Sequence, residues 1–374
     1  MSNGTRFAVF LGIVLGVWTG MHLFLLWRLW GLPVMAGAGF RRWALLLAAV
    51  GWLSYPLGRL LVHTRSFSWA PAVELAGAIW MGVLFFAVTA LLAVDLPTGF
   101  GRLLPSWSIP LRLTAVALAL LLSVVALVQG LRPPTVRELE LQLPGLPRER
   151  DGLVLVQLSD LHLGSLLGRR WLSERRRQVE FLRPDLLGIT GDVVDGDLTA
   201  VEPLVPLLSQ FHAPLGVWAV TGNHEFYAGL EGSVALLKRA GFHVLRDQWE
   251  EAAPGLILAG VDDLTARRQF GLPDHPLESA LGGRPPGATL FLCHSPLEVQ
   301  RASELGVGIM LSGHTHAGQI WPFGYLVRLS YPYLAGSFRI GGMDLVVSRG
   351  TGTWGPRMRL FCRSEILRIT LRAA

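Results

Sequence analysis

Four long stretches with almost no charged residues occupy the first third of the sequence and constrain its fold more than any other feature. A helix needs about 20 apolar residues to cross a bilayer, and each stretch is close to that length. We therefore predict four membrane-spanning helices, over about 7–27, 43–61, 75–94 and 113–131. The second is the weakest of the four, because it contains Pro56 and Arg59.

A break after the fourth stretch predicts a domain boundary. Pro133 and Pro134 cannot continue a helix, so the sequence divides into a transmembrane domain, 1–132, and a second domain, 133–374. The first stretch has no cationic start and no small-residue cleavage site, which indicates a retained span and not a signal peptide. We expect a multi-pass protein of the cell membrane. Arginines flank both sides of the spans equally, so the side that carries the second domain stays open.

The charge of the chain excludes one class of partner. The formal charge is +6, and it is carried almost wholly by arginine, because Lys238 is the only lysine. Arginines that flank membrane spans explain this excess. No block of basic residues is interleaved with aromatic ones, so we predict no nucleic-acid partner. Two cysteines, Cys293 and Cys362, make neither a disulfide framework nor a zinc–thiolate site.

Polar side chains follow five apolar runs of the second domain. The runs alternate with helical patterns, which is typical of a sheet covered by helices, and periodicity alone predicts a single open sheet. Ligands usually bind where such strands end. The residues at these ends are Asp160 and His162 after 153–158, Asp192 after 186–190, Asn223 and His224 after 217–221, His294 after 290–293, and His314 and His316 after 309–312.

These residues predict a dinuclear metal site. Without His224 they supply seven oxygen and imidazole donors, too many for one cation but suited to two divalent ions that share a carboxylate. With no thiolate among them, Mn²⁺ fits best, and Fe or Zn²⁺ also fits. Two ions about 3.5–4 Å apart clamp the attacking and leaving oxygens of a displacement at phosphorus. They also acidify a bound water, and a spare histidine such as His224 can protonate the leaving oxygen.

The order and separation of these motifs resemble the metallophosphoesterase, or calcineurin-like phosphoesterase, family. The residues around Asp160-Leu161-His162 and His314-Thr315-His316 are similar to its YkuE-like, membrane-associated branch. Two departures, Ala317 for a glycine and Ser364 for a proline, affect no predicted ligand.

The resemblance implies a fold and a role for each site residue. The expected fold is a four-layer α/β structure, a β-sandwich of two mixed sheets flanked by helices, preceded by the transmembrane helices. Asp192 would bridge the two metals, and His224 would face the substrate as a general acid or as a donor to the phosphoryl oxygens. The remaining ligands divide into two sets: Asp160, His162 and His316 for the first metal, and Asn223, His294 and His314 for the second.

The predicted function is that of a membrane-anchored, metal-dependent phosphoesterase. It would hydrolyse a phosphate ester or anhydride by attack of a metal-bound hydroxide, with His224 as the acid. Four spans on the same chain favour membrane lipids as partners and a lipid or lipid-linked substrate. A UDP-diacylglucosamine-type pyrophosphatase of lipid A synthesis is one alternative. A metal-binding membrane scaffold without activity is another, and a transporter regulated by the second domain is the third. Monoester, diester and pyrophosphate chemistry all stay open.

Overall fold

Four long helices make up the N-terminal part of the chain. The computed structural model describes residues 3–64 and 67–374, and within these ranges it describes the side chains from Gly12 onward. The chain forms two units, Met1–Leu131 with Gly355–Met358, and Arg132–Trp354 with Arg359–Ala374, here called the helical unit and the sheet unit. The helices are α1 (Asn3–Trp30), α2 (Ala38–Thr64), α3 (Ala70–Asp95) and α4 (Ser108–Leu131). All four are long and apolar enough to cross a membrane, and the four predicted spans lie within them.

Buried charges inside the helical unit are paired. Arg28 on α1 forms an ion pair with Asp95 at the end of α3. Arg59 Nη1 on α2 lies 3.0 Å from Glu74 Oε1 on α3. Burying an unpaired charge is costly, so these pairs allow Asp95 and Glu74 to be fully buried between apolar helices.

Two six-stranded sheets form the sheet unit. The strands of the first sheet are β1 (Thr135–Leu143), β2 (Leu153–Leu158), β3 (Leu186–Thr190), β4 (Val217–Val220), β5 (His243–Val244) and β12 (Glu365–Ala373). Those of the second are β6 (Gln248–Ala253), β7 (Leu256–Gly260), β8 (Ala288–Leu292), β9 (Ile309–Ser312), β10 (Gly336–Ile340) and β11 (Met343–Val347). The first sheet has the order β1-β12-β2-β3-β4-β5 and the second the order β10-β11-β9-β8-β7-β6.

Helices cover the outer face of each sheet. Residues of both sheets, such as Leu155 and Leu290, pack together in one buried cluster, so the sheets lie face to face. The helices of this unit are α5 (Arg169–Leu182), α6 (Leu198–Val201), α7 (Val205–Leu208), α8 (Asn223–Arg239), α9 (Leu264–Phe270), α10 (Pro276–Leu281), α11 (Val299–Glu304) and α12 (Gly324–Ser330). A second cluster joins the first sheet to α5–α8, and a third joins the second sheet to α9–α11.

The four layers confirm the expected sandwich, whereas the single open sheet expected from periodicity alone is wrong. The reason lies in strand pairing. β12, from the end of the chain, lies between β1 and β2, parallel to the first and antiparallel to the second. β2, β3 and β4 are parallel neighbours, and so are β7, β8 and β9, so in each sheet the ligand-bearing ends point the same way.

Candidate metal centre

Five loops bring the eight predicted site residues together. Each loop leaves the carboxyl end of one of five strands, β2, β3, β4, β8 or β9. The side-chain ligand atoms lie within 4.8 Å of one another in three overlapping groups: Asp160, His162 and His316; His162, Asp192 and His224; and Asp192, His294 and His314. Beneath them, the buried Gln157 amide joins the sheets, since its Nε2 donates to Thr190 Oγ1 and to the Ser312 carbonyl, both at 3.0 Å.

Asp160, His162 and His316 form what we call the first half of the site. His316 Nε2 lies 3.0 Å from His162 Nε2 and 3.3 Å from Asp160 Oδ1. The Asp160 carboxylate also accepts hydrogen bonds from Ser159 Oγ at 2.6 Å and from the His314 amide at 3.1 Å. These bonds fix the carboxylate while one of its oxygens still faces the imidazoles.

Asn223, His294 and His314 form the second half, and Asp192 lies between the halves. His314 Nδ1 lies 2.9 Å from Asn223 Oδ1 and 3.2 Å from His294 Nε2. Asp192 Oδ2 lies 3.1 Å from His294 Nε2 and 3.8 Å from His162 Nε2. One carboxylate oxygen therefore faces an imidazole of each half, which is where a bridging ligand has to be.

Two motif glycines are required by the close approach of the loops. A Cβ on Gly222 would lie 2.1 Å from Asp192 Oδ1. A Cβ on Gly313 would lie 1.8 Å from Ser159 Oγ and 2.5 Å from Asp160 Oδ2. Any side chain at either position would displace a predicted ligand, so the glycines before Asn223 and His314 have a steric reason.

The backbone at the site is strained. Backbone conformations with positive φ at residues other than glycine cost of the order of 1–3 kcal/mol each and cluster at functional sites. Loop hydrogen bonds hold them here, for example from the His162 amide to the Asp192 carbonyl at 2.9 Å. Five of the seven predicted ligands have φ between 45° and 69°, namely Asp160, His162, Asp192, His314 and His316.

The buried Glu225 ties two of these loops together. Its carboxylate accepts hydrogen bonds from the amides of Asp192 and Val194 at 2.9 Å and of Gly222 at 2.7 Å. Burial, followed by the charge of Asp192, raises the pKa of Glu225 to about 7. Glu225 follows the predicted site residues Asn223 and His224 in the sequence, but its task of holding the loop after β3 is visible only in the structure.

His224 lies beside His162 and Asp192 and is oriented by Asp195. His224 Nδ1 lies 3.0 Å from Asp195 Oδ1, and its ring meets the His162 ring edge-on at 4.7 Å. Burial lowers the pKa of His224, but the charge of Asp192 and the hydrogen bond that His224 donates to Asp195 outweigh it and raise the pKa to about 9. With Nδ1 held by Asp195, Nε2 is the nitrogen left for a substrate.

Known proteins are similar to this chain in sequence. The family profile of the calcineurin-like phosphoesterases matches residues 153–318. A metallophosphoesterase of Aquifex aeolicus is 35% identical over 221 residues, which cover 58% of this chain and 84% of that protein. This chain belongs to the metallophosphoesterase family. The YkuE metallophosphoesterase of Bacillus subtilis is also similar, at 31% identity over 61% of this chain and 82% of its own length.

A vertebrate relative also has membrane spans. A transmembrane protein with a metallophosphoesterase domain from Danio rerio is 36% identical over 273 residues, 70% of this chain. The match spans only 62% of that relative's length. Together with the four apolar helices, it confirms that this metallophosphoesterase is a multi-pass membrane protein.

The donor set fits the two metals on which metallophosphoesterases depend. Burial lowers the pKa of His162 to about 3, and burial followed by the charge of Arg359 holds the pKa of His316 well below its usual range. Both imidazoles are therefore neutral, which is the form that binds metals. The structure brings all eight predicted residues together. Their individual roles as ligands and acid stay predictions.

Tyr331 lies at the site although the sequence does not indicate it. Its Oη lies 2.8 Å from His314 Nε2 and 3.2 Å from Thr265 Oγ1. With a metal on His314 Nδ1, which faces Asn223 and His294, Nε2 would carry the ring proton and donate a hydrogen bond to Tyr331 Oη. No motif contains Tyr331, and no signal in the sequence separates it from the neighbouring Tyr333.

Arg359 is a second partner whose position only the structure reveals. Its guanidinium is fully buried and donates to the Gly352 carbonyl at 2.6 Å, and its Nη2 lies 3.2 Å from His316 Nδ1. A cation thus lies behind one ligand of the first half.

Proposed function

We propose that this metallophosphoesterase is a membrane-anchored hydrolase that cleaves a phosphate ester or anhydride with two divalent ions. The observation that carries the proposal is Asp192 Oδ2, which faces His294 Nε2 at 3.1 Å and His162 Nε2 at 3.8 Å. A single cation would use the ligands of one half and leave those of the other half unoccupied. Two cations would engage both halves, and Asp192 would be a ligand common to them.

The donor types favour one metal. Carboxylate, amide and imidazole groups without a thiolate suit Mn²⁺ best, and Fe or Zn²⁺ next. When bound, two such ions clamp the oxygens of a displacement at phosphorus and supply hydroxide near neutral pH. The three ligands of each half and the shared Asp192 would hold them.

His224 is the residue that provides a proton to the leaving oxygen. Asp195 holds His224 Nδ1, so the ring is oriented and its other nitrogen is available to the leaving oxygen or to the phosphoryl oxygens. General acid catalysis of this kind contributes about 10²–10⁴-fold to a rate. The rings of Tyr227 and Trp354 lie beside His224, with centroids at 5.7 and 6.2 Å from the centroid of its ring.

The substrate we favour is a lipid or lipid-linked phosphate. The chain spans the membrane, and β1 begins at Thr135, shortly after α4 ends at Leu131, so this short connection favours a substrate that is itself in the membrane. A nucleotide-diphospho-lipid sugar, cleaved as by the UDP-diacylglucosamine pyrophosphatases of lipid A synthesis, is the second candidate. The membrane spans favour this lipid-linked substrate for the same reason, and its cleavage is likewise a displacement at phosphorus.

A chelation experiment tests the reaction. The full chain, purified in detergent, should hydrolyse an aryl phosphate, lose this activity to a chelator and regain it with Mn²⁺. An Asp192→Asn chain purified in the same way reports any contaminating phosphatase and should be inactive. If it keeps full activity, the proposal is refuted. Metal binding without any turnover would support the scaffold alternative.

The role of His224 is tested by the leaving group. The phenolate of an aryl phosphate leaves without much help, whereas the alkoxide of an alkyl phosphate needs a proton in order to leave. His224→Asn should therefore slow alkyl phosphate hydrolysis by about 10²–10⁴-fold and aryl phosphate hydrolysis far less. Equal losses with both substrates would assign His224 to binding and not to proton transfer.

A turnover comparison tests the substrate class. Phospholipids, nucleotide-diphospho-lipid sugars and soluble nucleotides are offered to the Mn²⁺-loaded chain in mixed micelles. We expect the highest kcat/KM with a lipid. If soluble nucleotides are far better substrates than any lipid, the lipid assignment falls while the hydrolase stands.

A further inference from the structure

Large apolar side chains are exposed in one part of the sheet unit. Leu329 is 83% exposed and Phe361 71%. Six such side chains form what we call the apolar rim: Trp321, Phe323, Tyr325, Leu326, Leu329 and Phe361. Single exposed apolar residues are common, but a group of them marks an interaction surface.

The segment that carries most of the rim is anchored to the metal centre. A Cβ on Gly318, two residues after His316, would lie 2.2 Å from the Gly324 Cα, so the start of α12 is packed against the ligand loop. One residue beyond the end of α12, Tyr331 Oη contacts His314 Nε2 at 2.8 Å. The rim is therefore fixed at a short distance from the site.

The rest of the rim is joined to this segment by direct contacts. The Trp321 amide donates to the Leu360 carbonyl at 3.4 Å, and the rings of Trp321 and Phe361 meet edge-on with centroids 6.1 Å apart. On α12, Tyr325 and Leu329 are four residues apart and so share one face of the helix. The rim is thus one surface and not a set of scattered side chains.

Other exposed apolar residues extend towards His224. Tyr227 and Trp354 contact the His224 ring, and Phe270 contacts Tyr227 with centroids 6.4 Å apart. In the sheet unit, which the structure describes throughout, only Val136 and Phe181 are large, apolar, exposed and outside this region. Exposed apolar surface is thus concentrated around the metal centre.

The charges of the rim match an anionic surface. Arg328 on α12 and Arg363 beside Phe361 are exposed, and neither forms a salt bridge in the part of the chain that the structure describes. The sequence has no Asp or Glu from 305 to 343. Aromatic, leucine and arginine side chains on one face, without carboxylates, are typical of protein surfaces that lie in the headgroup region of a bilayer.

We propose that the apolar rim lies in the lipid interface of the membrane that this chain spans. The occupant we assign is bilayer lipid and not a protein, because the spans keep the bilayer permanently within reach and the rim has the composition of an interfacial surface. The surface does not depend on hydrolysis. If hydrolysis also occurs, the rim presents the metal centre to phosphates at headgroup depth.

Spin labelling of the full chain in nanodiscs with anionic lipid tests the surface. Leu329→Cys and Tyr325→Cys each carry a nitroxide on the rim, and Glu231→Cys on α8, with a side chain 78% exposed, is the matched control. The native Cys293 and Cys362 are buried, and the labelled wild-type chain measures their background. Collisions of each label with oxygen, which concentrates in lipid, and with a water-soluble nickel chelate are compared.

At positions 325 and 329 we expect the oxygen collision rate to exceed that of the chelate, and at position 231 the reverse. If the rim labels collide with the chelate as often as the control does, the rim lies in water and the proposal is wrong. Exclusion of both reagents at 325 and 329 would mean that protein covers the rim, which also overturns it. No result depends on turnover, so failure here is distinct from failure of the proposed hydrolysis.

Discussion

The two halves of the metal centre differ in what holds their imidazoles. In the second half, the outer nitrogen of each ring meets an oxygen. His294 Nδ1 lies 2.7 Å from the Thr190 carbonyl, and His314 Nε2 lies 2.8 Å from Tyr331 Oη. Such acceptors fix the ring orientation and tautomer and make the inner nitrogen a stronger ligand.

The first half has no such acceptors. His162 Nδ1 is buried and has no hydrogen-bond partner among the described residues. His316 Nδ1 faces the guanidinium of Arg359 at 3.2 Å, which can only donate. A positive charge behind an imidazole withdraws electron density from it, so the ring binds a cation less strongly.

This difference indicates that the halves are not equivalent. The predicted ion of the second half should be held more tightly than that of the first, although each half offers three ligands. Asp192 belongs to both.

Removing the shared carboxylate should have the largest effect. In Asp192→Asn both halves lose their common charged ligand, so bound divalent metal should fall from about two ions per chain to almost none. Elemental analysis of the purified full chain measures this. Asp195→Asn is the matched control, because Asp195 contacts His224, and it should keep its metal. One ion retained in Asp192→Asn would show that the halves do not share this residue.

Removing one ligand from each half should have unequal effects. After dialysis against a moderate chelator, His162→Ala should retain about one ion, because the second half is intact. His294→Ala should retain less, because only the weaker half remains. The same elemental analysis measures both variants. Greater retention by His294→Ala would reverse the order we assign to the halves.

Removing the acceptor behind His314 should weaken metal binding without removing a ligand. Tyr331→Phe deletes only the hydroxyl, and we expect a loss of about 10–100-fold in the affinity of the tighter ion. Titration against a competing chelator measures it. Tyr333→Phe is the control, since Tyr333 packs on Phe338 with centroids 5.1 Å apart. Equal metal affinities in the two variants would show that the Tyr331 hydroxyl does not strengthen metal binding by His314.

The smallest effect should come from the next residue outward. Thr265 Oγ1 lies 3.2 Å from Tyr331 Oη and 3.1 Å from Ser295 Oγ, so it supports Tyr331 only indirectly. Thr265→Val should lower the metal affinity by less than Tyr331→Phe does, in the same titration. Thr199→Val serves as the control, because the Thr199 hydroxyl donates its hydrogen bond to Asp197. A loss larger than that of Tyr331→Phe would mean that Thr265 acts by another route.

Much of the fold was predictable because its signals are local. Each span is an uninterrupted apolar stretch, and each of the five loops begins where an apolar run gives way to a carboxylate, an amide or an imidazole. The division into two sheets was available only through the family resemblance. Strands buried on both faces have no alternation that indicates their neighbours, and β12 joins the first sheet from the end of the chain.

The sequence by itself determined that this chain crosses a membrane and that eight polar residues follow five strands. Those features depend on residue types and short spacings. Only the tertiary structure decided that Tyr331 lies behind His314, that Arg359 lies behind His316, and that the apolar rim lies beside the site. These contacts join segments far apart in the chain, and their geometry depends on packing that no local pattern encodes.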